Sequence, residues 1–282
     1  MRCYLPQTLD ELHRDLALLG PSGRIIGGGT DFILASREGQ SRPEALLYPG
    51  GIPHLTVINE TPEGLSIGAA VTMTQLAETL KDRPQWAALA QAGAEVGSEQ
   101  IRNRATLGGN IANASPAGDL LPVLWLLSAE VGIAGPVGVR CEKIDQFIQG
   151  PGRTSLAPNE AVIAFHVPAR VENSTSAFAK IGSRRLVTIS RLGVAVRLSL
   201  AGNIINAAEV VLGAVAETPL KAGTVEKELA GSRLNSETLG RAGRALSRLI
   251  LDVNKRANRE YKAWVGPGLL ADACARLNRR AE

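Results

Sequence analysis

Residues 106 to 119 read TLGGNIANASPAGD, and what can lie against such a backbone decides how the rest of the chain is read. The stretch holds a glycine pair, two asparagines, a proline and a lone carboxylate, Asp119. Side chains this small bury little apolar area, so packing alone is a poor reason for them. Glycines permit close backbone approach and positive φ, while Thr106, Asn110, Asn113 and Ser115 offer short hydrogen-bonding arms. Such a loop suits a partner that is polar and extended.

A second stretch of the same kind lies upstream, where Arg24-Ile25-Ile26 reads as a short strand running into Gly27-Gly28-Gly29-Thr30-Asp31. Either loop alone is an ordinary turn. Two of them, each placed after a regular element and each mixing glycine with Thr, Asn or Ser, suit a dinucleotide. Converging N–H groups can take its pyrophosphate, and nearby carboxylates can accept from ribose, ribityl or ring N–H groups. Neither loop gives GxGxxG opening a long helix in a βαβ unit, so the nicotinamide fingerprint is missing. Gly266-Pro267-Gly268-Leu269-Leu270-Ala271 does match GxGxxA, but no clear strand precedes it and the sequence stops too soon for a ribose-binding acid. It reads as a helix break at Pro267.

With 282 residues, 45% hydrophobic and 21% charged, the chain is long enough for two domains with cores. The +4 net charge is spread along it and only 4% of residues are aromatic, which argues against nucleic-acid binding. No apolar run approaches the roughly 20 residues that span a bilayer, and MRCYLPQTLDEL lacks signal-peptide order, so a cytoplasmic protein is expected. Cys3, Cys141 and Cys274 form no CxxC pair, and His13, His54 and His166 have no HxxxH or HExxH companion. No metal site and no iron–sulfur cluster is expected in this chain.

Thr8–Glu11 reads as a capping box followed by Leu9, Leu12, Leu16 and Leu19 at helical spacing, and Thr72–Gln75 as a second box. His54–Asn59 and Leu65–Ala69 read as strands, LLPVLWLLSA as an apolar segment, and AVIAFHV as a strand ending at Pro168. VENSTS, residues 171–176, is polar and serves as the candidate linker. Beyond it, FAKIGS, TISRLGVAVRLSL and IINAAEVVLGAV read as strands, and Leu239, Ala242, Leu246, Leu249 and Val253 mark an amphipathic helix. Hairpin-sized links predict largely antiparallel sheets with helices on one side, hence an α+β protein of two domains. Lys180, flanked by apolar residues, reads either as a snorkelling surface lysine or as a site lysine.

GGGTDF, then IRNRATLGGNIANASPAGDLLPVLW, then DQFIQGPGRTSLAPNEAVIAFHVP, then FAKIGSRR resemble, in this order, the FAD-binding subunit or middle domain of the xanthine dehydrogenase family of molybdenum hydroxylases. VLGAVAETP and NREYKAWV extend the likeness over nearly the whole chain, although Gly266-Pro267-Gly268 interrupts what is a continuous terminal helix in relatives. The resemblance implies noncovalent FAD in an N-terminal domain of vanillyl-alcohol-oxidase type over residues 1–170, in two subdomains split near 53. A smaller flavoprotein C-terminal α+β domain would follow over 176–282. The implied flavin ligands are Arg24, Ile25, Ile26, Gly27, Gly28, Gly29, Thr30 and Asp31 from the first loop, and Thr106, Gly108, Gly109, Asn110, Ser115 and Asp119 from the second, with Ile163 and Lys180. Lys180 would face the reduced flavin as a cation, and its loss would leave the fold intact.

The resemblance also implies partners, a molybdopterin-binding large subunit and a small subunit with two [2Fe–2S] clusters, and electron flow through this flavin to NAD or another acceptor. Neither loop carries a His or Cys to tether a flavin covalently, as a self-sufficient flavin oxidase often does. Two intact loops argue against a scaffold that has lost FAD. The substrate of the complex stays open among a purine, an N-heterocycle, an aldehyde, carbon monoxide and an aryl-CoA.

Overall fold

The computed structural model describes residues 1–169, 174–184, 187–255 and 258–277. In chain order the elements are β1 (Arg2–Tyr4), α1 (Leu9–Leu19), β2 (Gly23–Ile25), α2 (Thr30–Arg37), β3 (Ala45–Leu47), β4 (Ile58–Thr61), β5 (Gly64–Gly68), α3 (Met73–Leu80), α4 (Ala87–Ala94), α5 (Glu99–Arg102), α6 (Leu107–Ala112) and α7 (Leu120–Leu126). They continue with β6 (Glu130–Gly135), β7 (Gly138–Lys143), α8 (Ile144–Phe147), β8 (Ile148–Gly150), β9 (Arg153–Thr154), β10 (Ala161–Pro168), β11 (Ser174–Gly182), β12 (Ser190–Ala201), β13 (Ile204–Gly213), β14 (Leu220–Lys221), α9 (Gly223–Leu229), α10 (Ser236–Val253) and α11 (Arg259–Leu277). Among the described residues, no helix is long and apolar enough to cross a membrane.

The chain divides into two units. The first comprises Met1–Leu76, Ser98–Ala114 and Ser128–Ala169. It holds a three-stranded sheet of order β1-β3-β2 and a five-stranded sheet of order β4-β5-β10-β6-β7. The five-stranded sheet is antiparallel throughout, as the short links predict. The three-stranded sheet is parallel, an exception within a largely antiparallel set. The reason is that α1 joins β1 to β2 and α2 joins β2 to β3, two crossover helices that let the chain return in the same direction. Thr8 caps α1 through a hydrogen bond from Glu11 N–H, and Leu12, Leu16 and Leu19 bury against Ala45 and Leu47 of β3. His54, expected in a strand, lies instead in a 3-10 turn, Pro53–Thr56, opened by the proline.

The second unit comprises Ala77–Gly97, Ser115–Leu127 and the described residues from 174 onward. Its sheet, β11-β12-β13-β14, is antiparallel. Helices α4 and α7, although they come from the N-terminal half of the sequence, pack here, α4 on β11 and α7 on β12 and β13. Six of the seven residues of α7 are buried. A segment apolar all round has to be covered all round, and LLPVLWL meets that need inside this unit. Residues 171–173 of the expected linker and Arg185 lie outside the described residues. Ser176 is buried in β11, accepting from Ala88 N–H at 3.2 Å and donating to Gln85 O at 2.9 Å.

Pro267 does not break α11, contrary to the sequence reading, because α10 repairs the damage. A proline at 267 has no N–H for the carbonyl four residues back, at Ala263. Ser247 Oγ of α10 donates to that carbonyl at 2.6 Å. Gly243 leaves room for the ring, since a Cβ there would stand 2.8 Å from Pro267 Cβ. Leu246 and Ile250 close the seam beside it, each worth about 1.5–3 kcal/mol when fully buried.

Candidate functional site

The first glycine loop leaves β2 at Ile25, and Ile26 N–H donates to Leu47 O at 2.9 Å. The next three residues have different reasons for being glycine. A Cβ on Gly27 would overlap Thr106 Oγ1, and one on Gly28 would overlap the Arg104 carbonyl. Gly29 caps α2 at φ +75°, in the left-handed region. Gly27 and Gly28 are therefore dictated by the second loop pressing on the first. The N–H groups of Gly27, Gly28 and Gly29 find no acceptor among the described residues. Arg24 and Asp31 are exposed, while Ile25, Ile26 and Thr30 are half-buried.

The second loop is a short helix at its start, which differs from the loop of free amides expected from TLGGN. Thr106 Oγ1 caps α6 by accepting from Gly109 N–H at 3.2 Å, and Leu107 and Ile111 are fully buried. Leu107 N–H donates to Val71 O at 2.9 Å and Gly108 N–H to Ala69 O at 2.8 Å. Ala69 N–H in turn donates to Ile163 O on β10 at 2.9 Å, which ties Ile163 to the same construction. Gly108 is fixed by packing, as a Cβ would stand 2.7 Å from Ala69 Cβ. Gly109 is exposed, and its Cβ would meet only Thr106 Oγ1, at 3.1 Å. Beside it, Asn110 Oδ1 is buried without a hydrogen-bond partner among the described residues. Three unmatched backbone donors, one unmatched buried acceptor and a side-chain-free edge on neighbouring residues fit the phosphates and hydroxyls of a dinucleotide.

Thus Arg24 to Asp31, Thr106, Gly108, Gly109, Asn110 and Ile163 belong to the first unit, whereas Ser115, Asp119 and Lys180 belong to the second. There, Lys180 Nζ donates to Asp119 Oδ2 at 2.6 Å, to Glu95 O at 2.7 Å and to Thr188 O at 3.4 Å, so its three protons are all engaged. Its side chain is 7% exposed, which removes the snorkelling alternative. Ser190 Oγ donates to the other carboxylate oxygen of Asp119 at 2.5 Å. Burial pushes the Asp119 carboxyl above its usual range, and Lys180 pulls in the opposite direction. Glu95 also pairs with Arg276 at 2.8 Å. Neither Glu95 nor Ser190 carried a signal in the sequence, because strand and helix packing alone brings them to Lys180.

Elsewhere in the first unit, a cavity of about 290 Å³ is lined by Thr61, Glu63, Ser66, Glu130 and His166 among others, none of them a candidate ligand. Among the described residues, no group of three or more His, Cys, Asp and Glu side chains is placed to hold a metal ion.

Residues 1–170 match the family model of the FAD binding domain in molybdopterin dehydrogenase, and residues 177–277 match that of the CO dehydrogenase flavoprotein C-terminal domain. The chain is 31% identical over 249 residues to the xanthine dehydrogenase FAD-binding subunit of Escherichia coli O157:H7, covering 86% of this chain and 84% of that one. It is 31% identical over 244 residues to the nicotinate dehydrogenase FAD-subunit of Eubacterium barkeri, covering 84% and 81%. The structure of reconstituted CO dehydrogenase from Oligotropha carboxidovorans superposes with a TM-score of 0.87 at 26% identity, covering all of this chain and 98% of that one.

Proposed function

Because the chain belongs to the family of FAD-binding domains of molybdopterin dehydrogenases, we propose that it is the flavin-carrying subunit of a heteromeric molybdenum hydroxylase. It would work beside a molybdopterin-binding large subunit and a small subunit with two [2Fe–2S] clusters, receiving electrons from those clusters and passing them to NAD or another acceptor. Bound FAD supplies the redox centre, and the chain supplies orientation and electrostatics. The observation that carries the reading is the pair of loops in the first unit, with donors at Gly27, Gly28 and Gly29 and an acceptor at Asn110 Oδ1 left unmatched among the described residues.

In this assignment the amides of Gly27 to Gly29 hold the pyrophosphate and Asn110 Oδ1 accepts from a hydroxyl or amine of the dinucleotide. Gly109 keeps the near edge open, and Arg24, Ile25, Ile26, Thr30, Asp31, Thr106, Gly108 and Ile163 shape the walls. For Ser115, Asp119 and Lys180 the support is the family resemblance alone, since Asp119 and Lys180 already satisfy one another. We place a flavin domain of vanillyl-alcohol-oxidase type at 1–170, divided near 53, and the C-terminal domain at 176–282. The substrate of the complex would be selected by the molybdenum subunit.

The test is purification of the full chain and of the native complex. The chain should show a flavin spectrum, release FAD on denaturation and oxidise no purine, aldehyde or N-heterocycle by itself, while the complex should contain iron and molybdenum. A flavin-free chain, or substrate turnover by the isolated chain, refutes the proposal.

A further inference from the structure

Ala114 ends α6 with φ +45°, a left-handed conformation that an alanine holds only when its surroundings impose it. It is buried, and its carbonyl accepts a hydrogen bond from Gly152 N–H at 2.9 Å. Gly152, itself at φ +65°, sits at the tip of the β8–β9 hairpin. That hairpin lies outside both glycine loops, yet one of its backbone groups fixes the end of the helix that carries Gly108, Gly109 and Asn110.

The segment that leaves the hairpin is fastened by Arg140 of β7. The guanidinium grips Glu160 with two nitrogens, Nε to Oε1 at 2.9 Å and Nη2 to Oε2 at 2.8 Å. It also donates to Glu142 Oε2 at 2.7 Å and to the Ser155 carbonyl at 3.2 Å. Ser155 Oγ donates to Glu142, and Ala157 N–H donates to Glu160 Oε2 at 2.9 Å. Residues 155–160 are therefore bound at both main-chain and side-chain level to one fork, a geometry that lysine cannot reproduce. The hydrogen bonds from Arg140 hold the Glu160 carboxyl below the usual carboxylate range.

We infer that Arg140 is a positioning residue for the cofactor cradle: by locking the segment that follows Gly152, it keeps Ala114 in the left-handed turn that sets where Gly109 and Asn110 stand. The inference rests on the flavin reading above, and it adds to the cradle a side chain on a different strand that need not touch the cofactor.

The full chain, stripped of flavin, is titrated with FAD, and binding is followed by flavin fluorescence and by visible circular dichroism of the bound ring. Arg140→Met should raise the FAD dissociation constant at least about tenfold and alter the dichroism. Arg140→Lys, which keeps the charge but not the fork, should weaken binding in the same direction, and it carries the test if the Met variant does not fold. Ala114→Gly in the Arg140→Met background should restore affinity to within about threefold of the parent, because glycine takes a positive φ without being held there. If the folded Arg140 variants bind FAD with parental affinity and dichroism, or if Ala114→Gly restores nothing, the inference fails. Gly109→Val separates this failure from that of the flavin reading. A parent chain that binds no FAD removes the reading itself. A parent that binds, with Gly109→Val impaired and the Arg140 variants normal, removes only the role of Arg140.

Discussion

Substituting Lys180 by Met keeps the stem and deletes the ammonium, and the structure changes what this should do. On sequence the lysine was expected to face the flavin and to be dispensable for folding. In the fold it is the counter-ion of Asp119, whose side chain is 8% exposed. Removing one partner of a buried ion pair leaves the other charge uncompensated, at a cost of about 3–5 kcal/mol. For a chain of this size that corresponds to a fall in Tm of roughly 6–20 °C. The loss should depend on pH. Burial already raises the Asp119 carboxyl, and without Lys180 to pull it back it rises further, so the folded variant holds a proton that the unfolded chain gives up. A group whose folded pKa is raised contributes stability that is present at low pH and is lost as pH rises through the folded value. The gap between parent and variant should therefore narrow as pH falls from 8 toward 5, read by thermal unfolding at each pH. Asp119→Asn added to Lys180→Met should recover much of the stability, because no buried charge remains. A Lys180→Met chain that melts with the parent at every pH would refute the argument and free the lysine for the cofactor.

Gly109→Val should give a folded chain whose FAD affinity drops at least about tenfold, measured by flavin release from purified protein, because the new side chain enters the open edge of the cradle. Gly28→Ala should behave in the opposite sense, lowering yield and Tm, since its methyl would overlap the Arg104 carbonyl whether or not a cofactor binds. Ser247→Ala should cost about 1–3 kcal/mol in denaturant unfolding by leaving the Ala263 carbonyl unpaired, and Pro267→Ala in the same chain should return part of it by restoring the helical N–H.

Much of this was legible in the sequence where a local rule sufficed. The Thr72–Gln75 box forms as written, with Thr72 N–H donating to Gln75 Oε1 at 2.9 Å and Gln75 N–H to Thr72 Oγ1 at 3.2 Å. At Thr8 only half of the box forms, and the return bond to Glu11 comes from Gln7 N–H at 2.7 Å. The motif order in the two loops pointed to the family without any geometry. What was hidden depended on distant partners. Strands β1 and β3 are three residues long, too short to display a period of two. LLPVLWLLSA has no periodicity to distinguish a buried helix from a strand. TLGGN looked like a loop because glycine disfavours helix, yet burial of Leu107 and Ile111 together with the Thr106 cap overrides that preference. Lys180 stands out in the sequence as a lone base among apolar neighbours, but its partner lies 61 residues away and no spacing rule joins them.

The placement of α7 in the second unit has a consequence for biosynthesis. The helix emerges from the ribosome well before the strands that cover it, since β13 ends at Gly213, roughly 90 residues later. At typical elongation speeds of about 5–20 residues per second, that leaves a nearly all-apolar helix waiting about 5–18 s for its sheet. The nascent chain thus carries an aggregation-prone segment through about a third of its own synthesis. Expression at lower temperature, or with a chaperone that holds apolar segments, should matter more for this chain than for one whose cores close in sequence order.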